Sequence, residues 1–263
     1  MQFDLGYWKA AKFVKDADDF RACEALIKGH FKELKHIFIN LISSDNYPHI
    51  GWNDFVAFCR NVDILDGTLP TATVDRMFIA TKVGAPKEGS GNTLFRHEFL
   101  EIMIRVANCK YRESGRADSY SGSLKIMLES IIPKFSCRPW QDFRDAELWT
   151  TKIDKLLEAN KDSLRAVHDD LFPKYAEKGQ CIRKCIDLMT KIPAISLSDK
   201  EARFCFGMSK MTVKDEVGNH DEYEKLRFAE FLEFFGRCAH ARYIDEEELG
   251  LHEKIEELLR HVF

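Results

Sequence analysis

No run in this 263-residue chain approaches the ~18 consecutive apolar residues of a membrane-crossing helix, so no membrane partner is expected. A surplus of one charge is missing too. The 39 Lys and Arg nearly balance 43 Asp and Glu, leaving a formal net charge of -4 and a pI near 6.2. That balance offers no broad attraction for nucleic acid, which is not expected as a partner. The opening MQFDLGYWKAAKF has no basic stretch followed by an apolar one, and the closing RHVF is not a prenylation box. Neither a leader nor a lipid anchor is therefore expected. No Asn-x-Ser/Thr acceptor occurs. Cys23, Cys59, Cys109, Cys137, Cys181, Cys185, Cys205 and Cys238 stand mostly inside apolar helical patterns. Free, buried thiols in a reducing, cytoplasmic setting are expected. Glycine-rich phosphate loops, nucleophile elbows and triad spacings are also missing, so an enzyme is not expected.

Alternating strands are lacking as well. Apolar residues instead recur at helical spacing, as in Phe31, Leu34, Ile37, Phe38, Leu41 and Ile42, then Val74, Met77, Phe78 and Ile79. The fold class is all-α. The polar stretch RESGRADSYSGS, residues 112–123, marks a boundary between two lobes. Beyond it, SLKIMLESII reads as a helix ending near Pro133, and WQDFRDAELWTTKIDKLLEAN as a second one opened by Pro139. In the tail DEEELGLHEKIEELLRHVF, Leu251, Ile255, Leu258 and Val262 form an apolar stripe. Acids in its first turn and Arg260 and His261 in its last suit an amphipathic helix. The division is residues 1–113, a linker with connecting helices over 114–159, a second lobe over 160–243, and a C-terminal helix over 244–263.

One phrase occurs twice: FRHEFLEIMIRVANCKY at 95–111 and RFAEFLEFFGRCAHARY at 227–243. The copies share Glu98/Glu230, Phe99/Phe231, Leu100/Leu232, Glu101/Glu233, Arg105/Arg237, Ala107/Ala239 and Tyr111/Tyr243. These identities, without a gap, point to an internal duplication. A helix that opens on an acid and Phe, with an aliphatic residue four positions before the acid, resembles the exiting helix of an EF-hand. Leu94 and Leu226 then hold loop position 8, and Glu98 and Glu230 position 12. Residues 73–83 and 198–211 would be the entering helices. Upstream, SSDNYPHIGWND between two helices puts Ile50 at position 8 and Asp54 at position 12, while the loop around Gly179 puts Cys181 at 8 and Cys185 at 12. The layout resembles two calmodulin-like pairs in tandem, and the acid-Phe-Leu-Glu run with its Arg, Ala and Tyr is similar to divergent EF-hand proteins of motile cilia and flagella.

Calcium demands six to eight oxygens, largely from loop positions 1, 3, 5 and 12, with Gly at 6 for the turn. The first loop offers Ser43, Asp45 and Tyr47, with Pro48 in place of Gly; the third places Lys174, Ala176 and Lys178 where a dication would sit. The second counts back to Lys87, Gly89 and Gly91 inside the insertion APKEGSGNT. All three are expected to be empty. The fourth offers Asn219, Asp221 and Glu230, with Tyr223 at 5 and Glu224 at 6, beside an acid-rich stretch KDEVGNHDEYEK. It is the candidate calcium site, and an acidic solvated loop is its plainer reading.

Cys181 and Cys185 lack the second pair that zinc would need and read as core thiols. His168-Asp169 and His220-Asp221 match only the central dipeptide of helical metal phosphohydrolases. Glu98/Glu101 and Glu230/Glu233 suit helix starts by charge alone. Met103, Met189, Met208 and Met211, with Phe228, Phe231, Phe234 and Phe235, could line a groove for a partner helix that the C-terminal helix fills in the free protein. The expected function is a calcium-independent scaffold, without cofactor, clasping an amphipathic helix or a microtubule-associated axonemal assembly. The alternative is a calcium-responsive regulator working through the fourth loop.

Overall fold

The computed structural model describes residues 1–83, 92–135 and 140–263, and the fold is all-α. Lys87, Gly89, Gly91, Cys137 and Pro139 lie outside the described residues. Contacts divide the chain into two units, one of Met1–Ile42, His49–Cys137 and Lys214–Gly218, the other of Ser43–Pro48, Arg138–Val213 and Asn219–Phe263.

The first unit runs α1 (Gln2–Gly6), α2 (Ala17–Gly29), α3 (Phe31–Ile42), β1 (Ile50–Gly51), α4 (Trp52–Asn61), α5 (Thr71–Lys82), β2 (Thr93–Leu94), α6 (Arg96–Ala107) and α7 (Tyr120–Lys134). Helix α2 starts where the Asp16 side chain accepts the Asp19 N–H at 2.7 Å, and α6 passes into a π-turn over Asn108–Arg112. The short strands pair antiparallel, with Ile50 opposite Leu94, the two residues assigned to loop position 8. Phe38, Phe58 and Phe99 meet in its core, the Phe99 ring 6.0 Å from Phe38 and 6.3 Å from Phe58.

The second unit runs α8 (Trp140–Phe143), a π-turn Arg144–Leu148, α9 (Thr151–Ala159), α10 (Lys161–Leu171), α11 (Gln180–Lys191), α12 (Asp199–Ser209), α13 (Phe228–Arg242) and α14 (Leu251–Val262). Its core gathers Phe206, Phe231, Phe234, Phe235, Ile186 and Leu258. Ser43 lies against α12 at Gly207, where an added Cβ would stand 2.8 Å from the Ser43 Cβ and 3.0 Å from its Cα. Gly207→Ala should therefore cost about 1–3 kcal/mol by overpacking, read as a lowered Tm.

The units repeat one plan. Helices α2 to α7 correspond in order to α9 to α14, and in each unit the last helix packs on the phrase helix and on the first of the six: α7 on α6 and α2, α14 on α13 and α9. The segment 120–134, placed in a connector by the sequence reading, is thus the counterpart of the C-terminal helix. Three expected boundaries shift. Helix α7 begins at Tyr120, inside the polar break, because the Ser119 hydroxyl accepts the Gly122 N–H and Asp19 accepts those of Tyr120 and Ser121. The single helix expected over 140–160 breaks at Trp149, where Thr150 turns extended and caps α9 through the Ile153 N–H. The tail helix begins at Leu251, so Asp245 to Glu248 precede it, and Glu253 accepts the Gly250 N–H at 2.8 Å.

Candidate functional site

The repeated phrase places two acids on each of α6 and α13, and all four are about 1% exposed. The first acid of each copy sits in the first turn and accepts the N–H of the residue that opens its helix. Glu98 takes Phe95 N–H at 2.9 Å, and Glu230 takes Arg227 N–H at 2.6 Å. Each then holds a lysine from the end of the preceding helix or just beyond it. The Lys82 ammonium forks onto Glu98 at 3.0 Å and 2.9 Å. The Lys210 ammonium lies 3.0 Å from Glu230 Oε2 and also donates to the Lys225 carbonyl at 2.9 Å, while Glu230 Oε1 accepts Met211 N–H at 2.8 Å.

Counted in the register that the resemblance implies, Lys225 falls at position 7 and Glu230 at position 12. A backbone carbonyl and an acid from those two places are calcium ligands in a working EF-hand. Here a side-chain ammonium bridges them. Each lysine follows a buried hydroxyl residue that bonds back along its helix: Thr81 Oγ1 to the Met77 carbonyl, Ser209 Oγ to the Cys205 carbonyl. The dipeptides Thr81-Lys82 and Ser209-Lys210 were the signal available in the sequence, and composition-level reading passed over them.

The second acids form another matched pair. Glu101 accepts from Arg105 at 3.1 and 2.8 Å and from Lys9 N–H at 3.1 Å; the Arg105 guanidinium lies 3.9 Å over the Phe13 ring. Glu233 accepts from Arg237 at 2.8 Å and from Arg144, and Arg237 lies 4.5 Å over the Phe143 ring. Burial pushes the Glu233 carboxyl up, against the opposing pull of Arg237 and Arg144. These two acids tie each unit's leading segment to its phrase helix.

The candidate calcium ligands part company. Asn219 and Asp221 are exposed around a short 3-10 helix, His220–Glu224, whereas Glu230 is buried among the donors above. The neighbouring acids have other partners. Asp215 accepts Gly218 N–H, Glu216 accepts Arg96 N–H at 2.6 Å in the first unit, and Glu224 accepts Gly179 N–H at 2.8 Å. Among the described residues, no three of His, Cys, Asp and Glu gather as metal ligands.

In the third loop Gly179 adopts φ +74°, the left-handed conformation that a position-6 glycine supplies. Cys181 and Cys185 both face the core, and burial pushes both thiols up. In the first loop Tyr47 donates to the Tyr223 carbonyl at 3.2 Å, and Asp54 accepts Gly51 N–H at 3.3 Å. His168 bonds Asp169 at 3.1 Å and the Leu226 carbonyl at 3.0 Å among the rings of Phe172, Phe228 and Phe231. A comparison of the chain with protein-family models, curated proteins and solved structures finds no match.

Proposed function

We propose that this protein is a non-enzymatic, calcium-independent scaffold of EF-hand-like build, in which lysine side chains stand where the cation would be. The observation that carries the reading is Lys210, whose ammonium links the position-7 carbonyl of Lys225 to the position-12 carboxylate of Glu230. A tethered charge needs no ion in solution and cannot dissociate, so the helices it joins hold one arrangement at any calcium level. In the first unit Lys82 meets the acid half of this arrangement, forking onto both oxygens of Glu98. The pairing of Ile50 with Leu94 supports the EF-hand register.

The partner in this reading is a helical or filamentous protein, an axonemal microtubule-associated assembly by resemblance of the repeated phrase. Phe231, Phe234 and Phe235 are fully buried, and Ile255 and Leu258 of α14 join them in the core, so these rings are not the contact surface. The apolar side chains left outside, Ile79 in α5 and Val83 just after it, Phe204 in α12 and Met211 just beyond it, are the ones offered to a partner. Titrating calcium into chelator-treated protein should give no heat up to millimolar concentration. Co-sedimentation with polymerised tubulin should be equal in calcium and in chelator. Micromolar heat, or pelleting that calcium switches, would replace this reading with the calcium-responsive regulator.

A further inference from the structure

The duplicated plan exposes one place where the two units differ in charge. In the first unit the N-terminus of α7 is closed by an internal anion: Asp19, third residue of α2, accepts Tyr120 N–H at 2.9 Å and Ser121 N–H at 2.8 Å. Burial pushes that carboxyl up, but the bonds from Ser121 and Tyr120 and the charge of Arg112 outweigh it and hold it below the usual range. Both helices there are opened by side-chain caps, Asp16 for α2 and Ser119 for α7.

In the second unit the third residue of α9 is Ile153, and the first two of α14 are Leu251 and His252. No carboxylate of α9 replaces Asp19, and the acid in the first turn of α14, Glu253, is turned back onto the Gly250 N–H. Ile153, Leu251 and His252 border a cavity of about 440 Å³, which Lys152, His240 and Lys254 also line. The Ile153 N–H of α9 is taken by the Thr150 hydroxyl and the Glu253 N–H of α14 by the Gly250 carbonyl; the N–H groups of Leu251 and His252 have no partner inside α14, whose start carries partial positive charge.

Lys254 is the independent observation. It is only 6% exposed, yet among the described residues its ammonium has no hydrogen-bond or ion-pair partner. The other buried lysines are saturated: Lys110 donates to the carbonyls of Asp63 and Ile64 and to Asp66, and Lys210 to Lys225 and Glu230. From the fourth position of α14, a long side chain leans back toward the N-terminus, into the cavity it lines. The corresponding residue of α7 is Ser123, which bonds the Tyr120 carbonyl.

We propose that this cavity is an anion site for a phosphate-bearing small molecule. Lys254 and the first-turn N–H groups of α14 hold the phosphate, as the carboxylate of Asp19 is held in the first unit. The apolar wall of Ile153, Leu249 and Leu251 leaves room for the remainder of the ligand, and Glu147 at the rim opposes additional negative charge. The site is separate from the lysine-filled positions and stands or falls independently of the scaffold reading.

The test is an amide-resolved NMR titration of the full chain with inorganic phosphate, against sodium chloride of equal ionic strength. Saturable shifts at Lys152, Leu251 and His252 are expected. Lys254→Met keeps the apolar stem and should weaken binding about tenfold or more, the value of a charge-assisted hydrogen bond. Glu147→Gln should tighten it, and phosphate should raise the Tm of the wild type but not of Lys254→Met. Shifts no larger than those in chloride, a wild-type Tm indifferent to phosphate, or undiminished binding by Lys254→Met would each overturn the proposal.

Discussion

Replacing Lys210 with Met will cost this protein about 3–5 kcal/mol of stability, the usual penalty for leaving one partner of a buried ion pair alone. Glu230 is 1% exposed, and without the ammonium its charge keeps only the amides of Met211 and Arg227. The Lys225 carbonyl loses its donor in the same step. A urea titration that resolves the midpoint and slope gives the loss directly. Lys210→Met with Glu230→Gln should recover part of it, because the charge goes while the amide oxygen still accepts. Calcium sharpens the test: millimolar calcium should return some stability to the single variant and leave the wild type unchanged. A loss below about 1 kcal/mol would place the pair with ordinary surface bridges and remove the support for a built-in cation.

Lowering the pH from 6.5 to 4 should remove about 3 kcal/mol of stability through His97 alone. The imidazole is buried against Tyr7, 5.5 Å between ring centroids, and stacks on Phe95 at 5.9 Å. Burial drives its pKa down to about 4 from 6.5, and Lys9, Lys82 and Arg96 add to that against the opposing charge of Asp4. The unfolded chain therefore takes up this proton first as the pH falls. The contribution is whole above about pH 6.5, declines through the window, and is fully lost below about 4. His97→Gln should flatten the stability profile between those limits, measured by denaturant midpoints at stepped pH. Unchanged curvature in the variant would assign the loss to other groups. Asp19 and Glu201, whose carboxyls are held below their ordinary range, lose their contributions at lower pH than His97 does.

Much of the architecture was legible in the chain itself. The helical period announced an all-α fold, and the doubled phrase announced two copies, because the seven matched positions hold buried or paired side chains in both units, with Leu232 the half-buried exception. Glu98, Glu101 and Arg105 with their counterparts Glu230, Glu233 and Arg237 show the reason directly: each makes contacts that its neighbours in sequence cannot supply. Ile50 and Leu94, singled out in the sequence by their place before an acid and a helix, stand opposite one another in the antiparallel pair. Where the reading failed, a tertiary contact overrode a local pattern. Tyr120 starts a helix inside a polar stretch because Asp19, far away in sequence, caps it.

By itself, then, the amino-acid sequence determined the helices, the duplication and the mismatch between these loops and calcium's ligand pattern, since periodicity, identity and ligand type are local properties of the chain. Only the tertiary structure decided what answers each charge. Lysine and glutamate are equally plain on a surface or in a core, and their meaning depends on burial and on the groups that come within about 3 Å. That distance joins Lys210 to Glu230 and leaves Lys254 facing a cavity. No periodicity in the chain distinguishes the two.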